Sequence, residues 1–230
     1  MIQVTITNTH SQAIPAPFQV KLVLNLSSII SSASQLLNLG FYLSSNLTNQ
    51  IYAWIESYNS NFSQVVVWVN LPNGIPASSS VIVYICLQSS PQYPYTGIAP
   101  QLTSTYGEYD NGENVFLFYD NFAGTSLNTN KWKPLTSYYD VDNGLTIEQP
   151  PSGVSQGIDI VSLQSFNMPF IIDVYALDAD PSSNNAIIFG YNGSSAYGLY
   201  TYSYNLWTCL TDECGYTELQ SNSWIEEVMR

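Results

Sequence analysis

The stretch FQVKLVLNL, residues 18–26, places apolar side chains at every second position, with Gln19, Lys21 and Asn25 among the residues between them. Side chains alternate across a β-strand, so a period of two predicts a strand with one buried face. Residues 2–7 show the same alternation. Further strands of the first half are predicted at residues 52–56, 64–69 and 80–87. Residues 27–37 are the one helical candidate, because their apolar positions recur at helical spacing.

Strand patterns resume in the second half, after a stretch rich in Pro, Tyr, Gly and Ser. We predict a first β-sandwich at residues 1–90, a linker at 91–114 and a second, incomplete sandwich at 115–230. The strands of the second module are predicted at residues 115–119, 144–148, 157–163, 170–176, 186–191 and 199–204. Residues 223–230 are predicted to form a frayed helical turn. The predicted fold class is all-β, with two sandwich modules in tandem.

Charged residues make up only 9% of the chain, against about 25% in an ordinary soluble domain. The polar surface must therefore come from Ser, Thr, Asn, Gln and Tyr, which suits an exposed position outside the cell. The formal net charge is −13 and no basic patch occurs, which disfavours nucleic acid and anionic membranes as partners. No apolar stretch is long enough for a transmembrane helix, and no signal peptide is visible. We expect an extracellular, cell-surface or virion location.

Three cysteines occur, and two of them are separated by four residues. A disulfide between Cys209 and Cys214 is expected in an oxidising environment. Cys86 lies in an apolar run and is expected to be a small buried side chain. A zinc site would need more ligands than these cysteines and His10 offer.

Two parts of the chain resemble known families. Val4-Thr5-Ile6-Thr7-Asn8, Pro17-Phe18-Gln19-Val20, Trp54-Ile55-Glu56 and Val67-Trp68-Val69 resemble, in order, a domain of unknown function of archaeal and bacterial surface proteins. That resemblance covers residues 2–87 and implies a β-sandwich of jelly-roll or immunoglobulin-like type. Phe118 to Leu127, followed by Lys131-Trp132, is similar to the opening of concanavalin A-like lectin and glucanase modules. This second resemblance implies a lectin-like sandwich.

Catalysis is not predicted. Glucanases of the lectin-like fold carry a strand with two or three carboxylates, of which two act as nucleophile and acid/base. The nearest match here, residues 171–176, keeps only Asp173, which we expect to be a solvent-facing strand residue. A Ser-His-Asp triad cannot be assembled around His10, the single histidine, which we expect on the surface.

Oxygen ligands bunch in a Gly-flanked loop at residues 107–114, which is the kind of ligand set that Ca²⁺ needs. The candidate ligands are Glu108, Asp110, Asn111 and Glu113. A solvated acidic turn is the alternative. No other cofactor is expected.

Aromatic residues crowd one part of the second module, and we take them as candidate binding residues. They are Tyr191, Tyr197, Tyr200, Tyr202, Tyr204 and Trp207. Residues 200, 202 and 204 would share one face of a strand. Such a stripe stacks on sugar rings, forms half of a protein interface, or belongs to the core.

Four N-glycosylation sequons occur, at Asn25, Asn46, Asn61 and Asn192. If they are used, they require surface exposure and a glycosylating compartment.

Together these features predict a non-catalytic surface protein that binds glycans or mediates adhesion. The alternative is a structural subunit of an extracellular filament or virion, and a glycoside hydrolase is the third reading. The expected partners are a glycan, a surface protein, or further copies of the chain joined by strand addition.

Overall fold

The computed structural model describes residues 1–93, 105–148, 151–153, 159–166, 172–177, 185–191, 196–202, 205–210, 213–218 and 224–229. Nearly all regular structure within these ranges is antiparallel β-strand, which confirms the all-β class. The chain divides into two compact units. The first contains residues 1–125 and 142–144, and the second contains residues 126–141 and 145–230.

The first unit contains two antiparallel sheets. Its strands are β1 (Ile2–Thr7), β2 (Phe18–Leu24), β3 (Leu39–Tyr42), β4 (Gln50–Ile51), β5 (Ala53–Tyr58), β6 (Val65–Leu71) and β7 (Ser80–Leu87). The first sheet has the order β1-β7-β3-β4, and the second has the order β2-β6-β5. Two short helices belong to the same unit, a 3-10 helix at Ala33–Asn38 and α1 at Gly112–Val115.

One hydrophobic core unites the two sheets, because buried residues of both belong to a single cluster. The second sheet contributes the alternate residues Val65, Val67 and Val69 of β6, all fully buried. The first sheet contributes Val83 and Ile85 of β7 to the same cluster. The alternation seen in the sequence is therefore the alternation between core and outer face.

The second unit consists of short strands in several sheets. Its strands are β8 (Trp132–Pro134), β9 (Tyr139–Val141), β10 (Leu145–Ile147), β11 (Ile160–Ser162), β12 (Ile172–Leu177), β13 (Asn185–Tyr191), β14 (Ala196–Tyr202), β15 (Asn205–Leu210), β16 (Glu213–Glu218) and β17 (Trp224–Met229). The largest sheet has the order β13-β14-β15-β16. Two-stranded pairs join β9 to β10, β8 to β11 and β12 to β17.

Several predicted elements differ from the structure. The predicted strand at 115–119 is wrong: α1 ends at Val115 and the residues after it form no strand, because Val115 and Phe116 pack onto the second sheet. The predicted helical turn at 223–230 is also wrong, since β17 pairs with β12 there. Of the predicted helix at 27–37, only the 3-10 helix at Ala33–Asn38 is observed. Gln35 stabilises the start of this helix, because its Oε1 accepts hydrogen bonds from the backbone amides of Ser31 and Ser32.

The first unit extends to Thr125, so it includes the predicted linker at 91–114 and the first residues of the predicted second module, 115–125. Within the described residues, no helix is long and apolar enough to cross a membrane.

Candidate functional site

Residues 105–119, which we call the covering segment, cover the part of the second sheet's outer face that β5 and β6 form. Trp54 of β5 and Trp68 of β6 point away from the aliphatic core and form a separate cluster with Val115, Tyr106 and Phe116. The ring of Phe116 lies edge-on to both tryptophans, with centroid distances of 5.6 Å to Trp54 and 5.4 Å to Trp68. Edge-to-face pairs at such distances are favourable beyond the area that they bury.

An ion pair lies on the same outer face. Lys21 of β2 places its Nζ 2.9 Å from Oε1 of Glu56, whose side chain is only 2% exposed. The Nε1 of Trp68 donates to Oε2 of Glu56 at 2.5 Å, and Lys21 lies over the Trp68 ring, 5.5 Å from its centroid. Glu56 is the extra residue of a β-bulge between Ile55 and Ser57. A buried carboxylate needs such partners, because desolvation without them is costly.

The acidic loop at 107–114 is bound to the chain itself. Both carboxylate oxygens of Asp110 accept hydrogen bonds: Oδ1 from the Gly112 amide at 3.1 Å and the Tyr119 hydroxyl at 2.7 Å, and Oδ2 from Asn121 at 2.8 Å. Gly112 has no room for a side chain, since a Cβ there would lie 2.2 Å from the Tyr119 ring.

The other predicted calcium ligands have similar roles or lie apart. Asn111 donates to the carbonyl of Ala53 at 2.7 Å and accepts from Asn114 at 2.7 Å. Glu108 accepts a short hydrogen bond from Tyr58. Glu113 lies exposed in α1. Within the described residues, no group of three or more His, Cys, Asp or Glu is arranged to hold a metal. The calcium site stays a prediction, and a cation there would compete with these internal donors.

Burial and neighbouring carboxylates perturb the tyrosines of this region. Desolvation raises the pKa of Tyr119, and the adjacent Asp110 carboxylate raises it further. Desolvation likewise raises the pKa of Tyr58 and Tyr109, with Glu108 adding to the effect at both. These hydroxyls therefore stay protonated to a higher pH than ordinary tyrosine hydroxyls.

The predicted aromatic binding residues fall mainly on the four-stranded sheet of the second unit. Tyr200 lies opposite Trp207, and Trp207 lies opposite Tyr216 on the next strand. Opposed residues share a face, so positions 200, 207 and 216 form one row across three strands. Tyr202 belongs to the same face of β14 as Tyr200.

The remaining members of the predicted set are divided. Tyr191 lies opposite Ala196, which is on the same face of β14 as Tyr200. Tyr197 lies on the opposite face of β14. Tyr204 lies outside the described residues.

The two cysteines of the predicted disulfide lie directly opposite each other, on β15 and β16. Leu210 and Glu213 form the next pair along the two strands.

Cys86 was expected to be buried but is only partly so, because it lies on the outer side of β7 between Ile85 and Leu87, which pack into the core.

The other candidate residues are spread over both units. His10 is exposed, as expected. Asp173 lies in β12 opposite Val228 and is partly buried rather than solvent-facing. Asn25, Asn46 and Asn61 are exposed and lie outside the strands and helices, and Asn192 lies outside the described residues.

Two features were missed by the sequence analysis. The pairing of Lys21 with Glu56 had a signal, since they are the only base and the only acid among residues 1–107 and both fall in predicted strands. Tyr216 was missed because no strand was predicted at residues 213–218.

These features define an all-β protein with a closed polar and aromatic cluster in its first unit and an aromatic row in its second. The chain matches no model of a known protein family, and no solved structure matches it. It is similar to uncharacterized protein 562 of Sulfolobus islandicus rod-shaped virus 1, with 59% identity over 118 residues. The match covers 51% of this chain and 21% of that protein, so the chain spans about a fifth of its relative's length.

Proposed function

We propose that this chain is a non-catalytic structural module of a virion, located at its outer surface. The observation that carries the proposal is the similarity to a protein of a rod-shaped virus, 59% identical over 118 residues. The proposal takes up the structural-subunit alternative of the sequence analysis and places it ahead of glycan binding.

The charge distribution of the first unit supports a structural role. Lys21 and Glu56, the only base and acid among residues 1–107, neutralise each other at 2.9 Å. Apart from His10, the amino terminus and the ion-paired Lys21, the described surface of that stretch consists of neutral groups. Contacts made by such a surface depend little on pH and salt, which favours assembly under harsh external conditions.

The edges of the first sheet support assembly by strand addition. Strand β1 pairs only with β7 in the described sheet, and it contains no charged residue, proline or bulge. Natural proteins use those devices to keep edge strands from pairing with other chains. We propose that β1 pairs with a strand of a neighbouring subunit.

Sedimentation velocity over a concentration series tests this proposal. We expect the chain to associate as its concentration rises, and Thr5→Lys, at an exposed position of β1, to reduce the association. Thr129→Lys is the matched control, because it adds the same charge in an exposed turn outside β1. A chain that stays monomeric at the highest concentration, or a Thr129→Lys effect equal to that of Thr5→Lys, would contradict assembly through β1.

Glycan binding is the second candidate, and the row at positions 200, 207 and 216 favours it. Aromatic side chains aligned across strands offer a flat surface on which sugar rings stack. We also propose that the second unit is a concanavalin A-like module, a kind of fold that binds sugars. For the first unit we propose a β-sandwich, which is supported by the core that its two sheets share.

A glycan array tests the second candidate. Tyr200→Ala and Trp207→Ala should each abolish binding, whereas Tyr197→Ala, on the opposite face of β14, should retain it. A chain that binds no glycan on a broad array, or equal losses in all three variants, would count against the aromatic row.

A further inference from the structure

Three of the four sequons share one local geometry. In each, the side-chain hydroxyl two residues after the asparagine donates to the asparagine Oδ1. The distances are 2.7 Å from Ser27 to Asn25, 2.8 Å from Thr48 to Asn46, and 2.7 Å from Ser63 to Asn61. The fourth sequon, at Asn192, lies outside the described residues.

The middle residue of two sequons anchors the turn to the core. Leu26, between Asn25 and Ser27, is fully buried, and Phe62, between Asn61 and Ser63, is buried and stacks on Tyr58. The two turns lie at the same end of the second sheet, where the Leu26 amide donates to the Phe62 carbonyl at 2.8 Å. In both sequons the middle residue is buried while the asparagine before it is exposed.

The amide nitrogens of these asparagines are available. Asn25, Asn46 and Asn61 are all exposed, and among the described residues no hydrogen bond engages their Nδ2 groups. Their Oδ1 atoms are already taken by the sequon hydroxyls. The atom that would receive a glycan is therefore the one that is not engaged in a hydrogen bond among the described residues.

We propose that Asn25, Asn46 and Asn61 carry N-linked glycans, so that the first unit has a sugar-coated surface. The donor is a sugar joined through phosphate to a lipid carrier. The Nδ2 atom forms a bond to C1 of the sugar while the bond from C1 to the phosphate oxygen breaks. The lipid phosphate leaves with the electron pair, and the Nδ2 proton passes to a base of the transferase.

The proposal goes beyond the structural role and does not depend on it. Attached glycans supply a hydrated, uncharged coat to a unit whose surface has few charges. Because all three asparagines lie outside the strands and helices, a glycan on any of them leaves the sheets intact.

The test is mass spectrometry of the full chain secreted by a host with N-glycosylation. The chain carries a fused acceptor peptide, and only preparations with an occupied peptide are analysed. Digestion uses chymotrypsin, because the chain has only four Lys and Arg residues. We expect glycan mass on the peptides that contain Asn25, Asn46 and Asn61. The variants Ser27→Ala, Thr48→Val and Ser63→Ala should each lose the glycan of their own sequon alone.

Asn128 is the internal control, because it is exposed and also forms a local turn, accepting from the Asn130 amide at 3.1 Å, but has no hydroxyl residue two positions later. It should stay unmodified. Bare asparagines at 25, 46 and 61 would overturn the proposal, and so would sugar on Asn128, which would show attachment independent of the sequon. Circular dichroism of each variant should match the parent, since these side chains lie outside the core.

Discussion

The inner face of the second sheet and the β5–β6 part of its outer face are both buried, but by different means. Its inner face presents Val65, Val67 and Val69 to an aliphatic core shared with the first sheet. Its outer face presents Trp54 and Trp68 to the covering segment. The inner face is stabilised by area removed from water, whereas the outer face adds an ion pair and directed hydrogen bonds that need specific partners.

The largest expected effect on stability comes from a substitution on the inner face, compared with one on the exposed part of the outer face. Leu22 and Val23 are neighbours on β2, with exposed fractions of 8% and 66%. Leu22→Ala should lower the free energy of unfolding by about 2–5 kcal/mol, because it leaves a cavity in the core. Val23→Ala should change it by less than about 0.5 kcal/mol. Urea denaturation measures both, and equal effects would contradict the assignment of the two faces.

A second experiment tests the polar centre of the outer face. Glu56→Ala removes the carboxylate partner of Lys21 and Trp68, and we expect a loss of about 3 kcal/mol. This is the low end of the range for buried pairs, since Lys21 is 32% exposed. Glu113→Ala, an exposed acid in α1, serves as control and should cost less than about 0.5 kcal/mol. An unchanged free energy of unfolding in Glu56→Ala would show that the ion pair does not stabilise the fold.

The third prediction extends the comparison to the second unit. If Cys209 and Cys214 are bonded, Cys209→Ser should cost about 2 kcal/mol, as expected for a short closed loop. Antiparallel opposition brings Cα atoms within the range that a disulfide spans. A reducing agent should destabilise the parent equally and leave Cys209→Ser unaffected. Two free thiols in the oxidised protein, measured by alkylation and mass spectrometry, would disprove the bond.

The smallest expected effect concerns the covering segment. Tyr119→Phe removes one hydrogen bond to the Asp110 carboxylate and should cost about 1.5 kcal/mol. Because the pKa of Tyr119 is raised in the folded state, the unfolded chain loses this proton first as pH rises. The parent's stability is therefore full below about pH 10 and declines above it.

The pH profile supplies the control for that variant. Above pH 10 the decline should be shallower in Tyr119→Phe, whereas Tyr52→Phe, at an exposed ring, should follow the parent. If stability falls as steeply above pH 10 in Tyr119→Phe as in the parent, groups other than Tyr119 cause the fall.

The inner face could be predicted from the sequence because its burial has a period of two, and β1 and β7 were predicted with their observed bounds. Strand β3 was missed because all four of its residues are buried, which removes the alternation. The strand expected at 115–119 failed because apolar residues that cover a sheet resemble those that form one. The outer cluster depends on contacts such as that between Trp54 and Phe116, which are distant in sequence and leave no local pattern.

If the chain is a virion component, as proposed, it should be present on virus particles. The most direct measurement is electron microscopy with gold-labelled antibody against this chain, applied to intact particles purified from a culture that expresses it. We expect label on the particle surface, together with peptides of the chain in the mass spectrum of the washed particles. Unlabelled particles that lack these peptides, with the chain found only in the surrounding medium or cell extract, would contradict it.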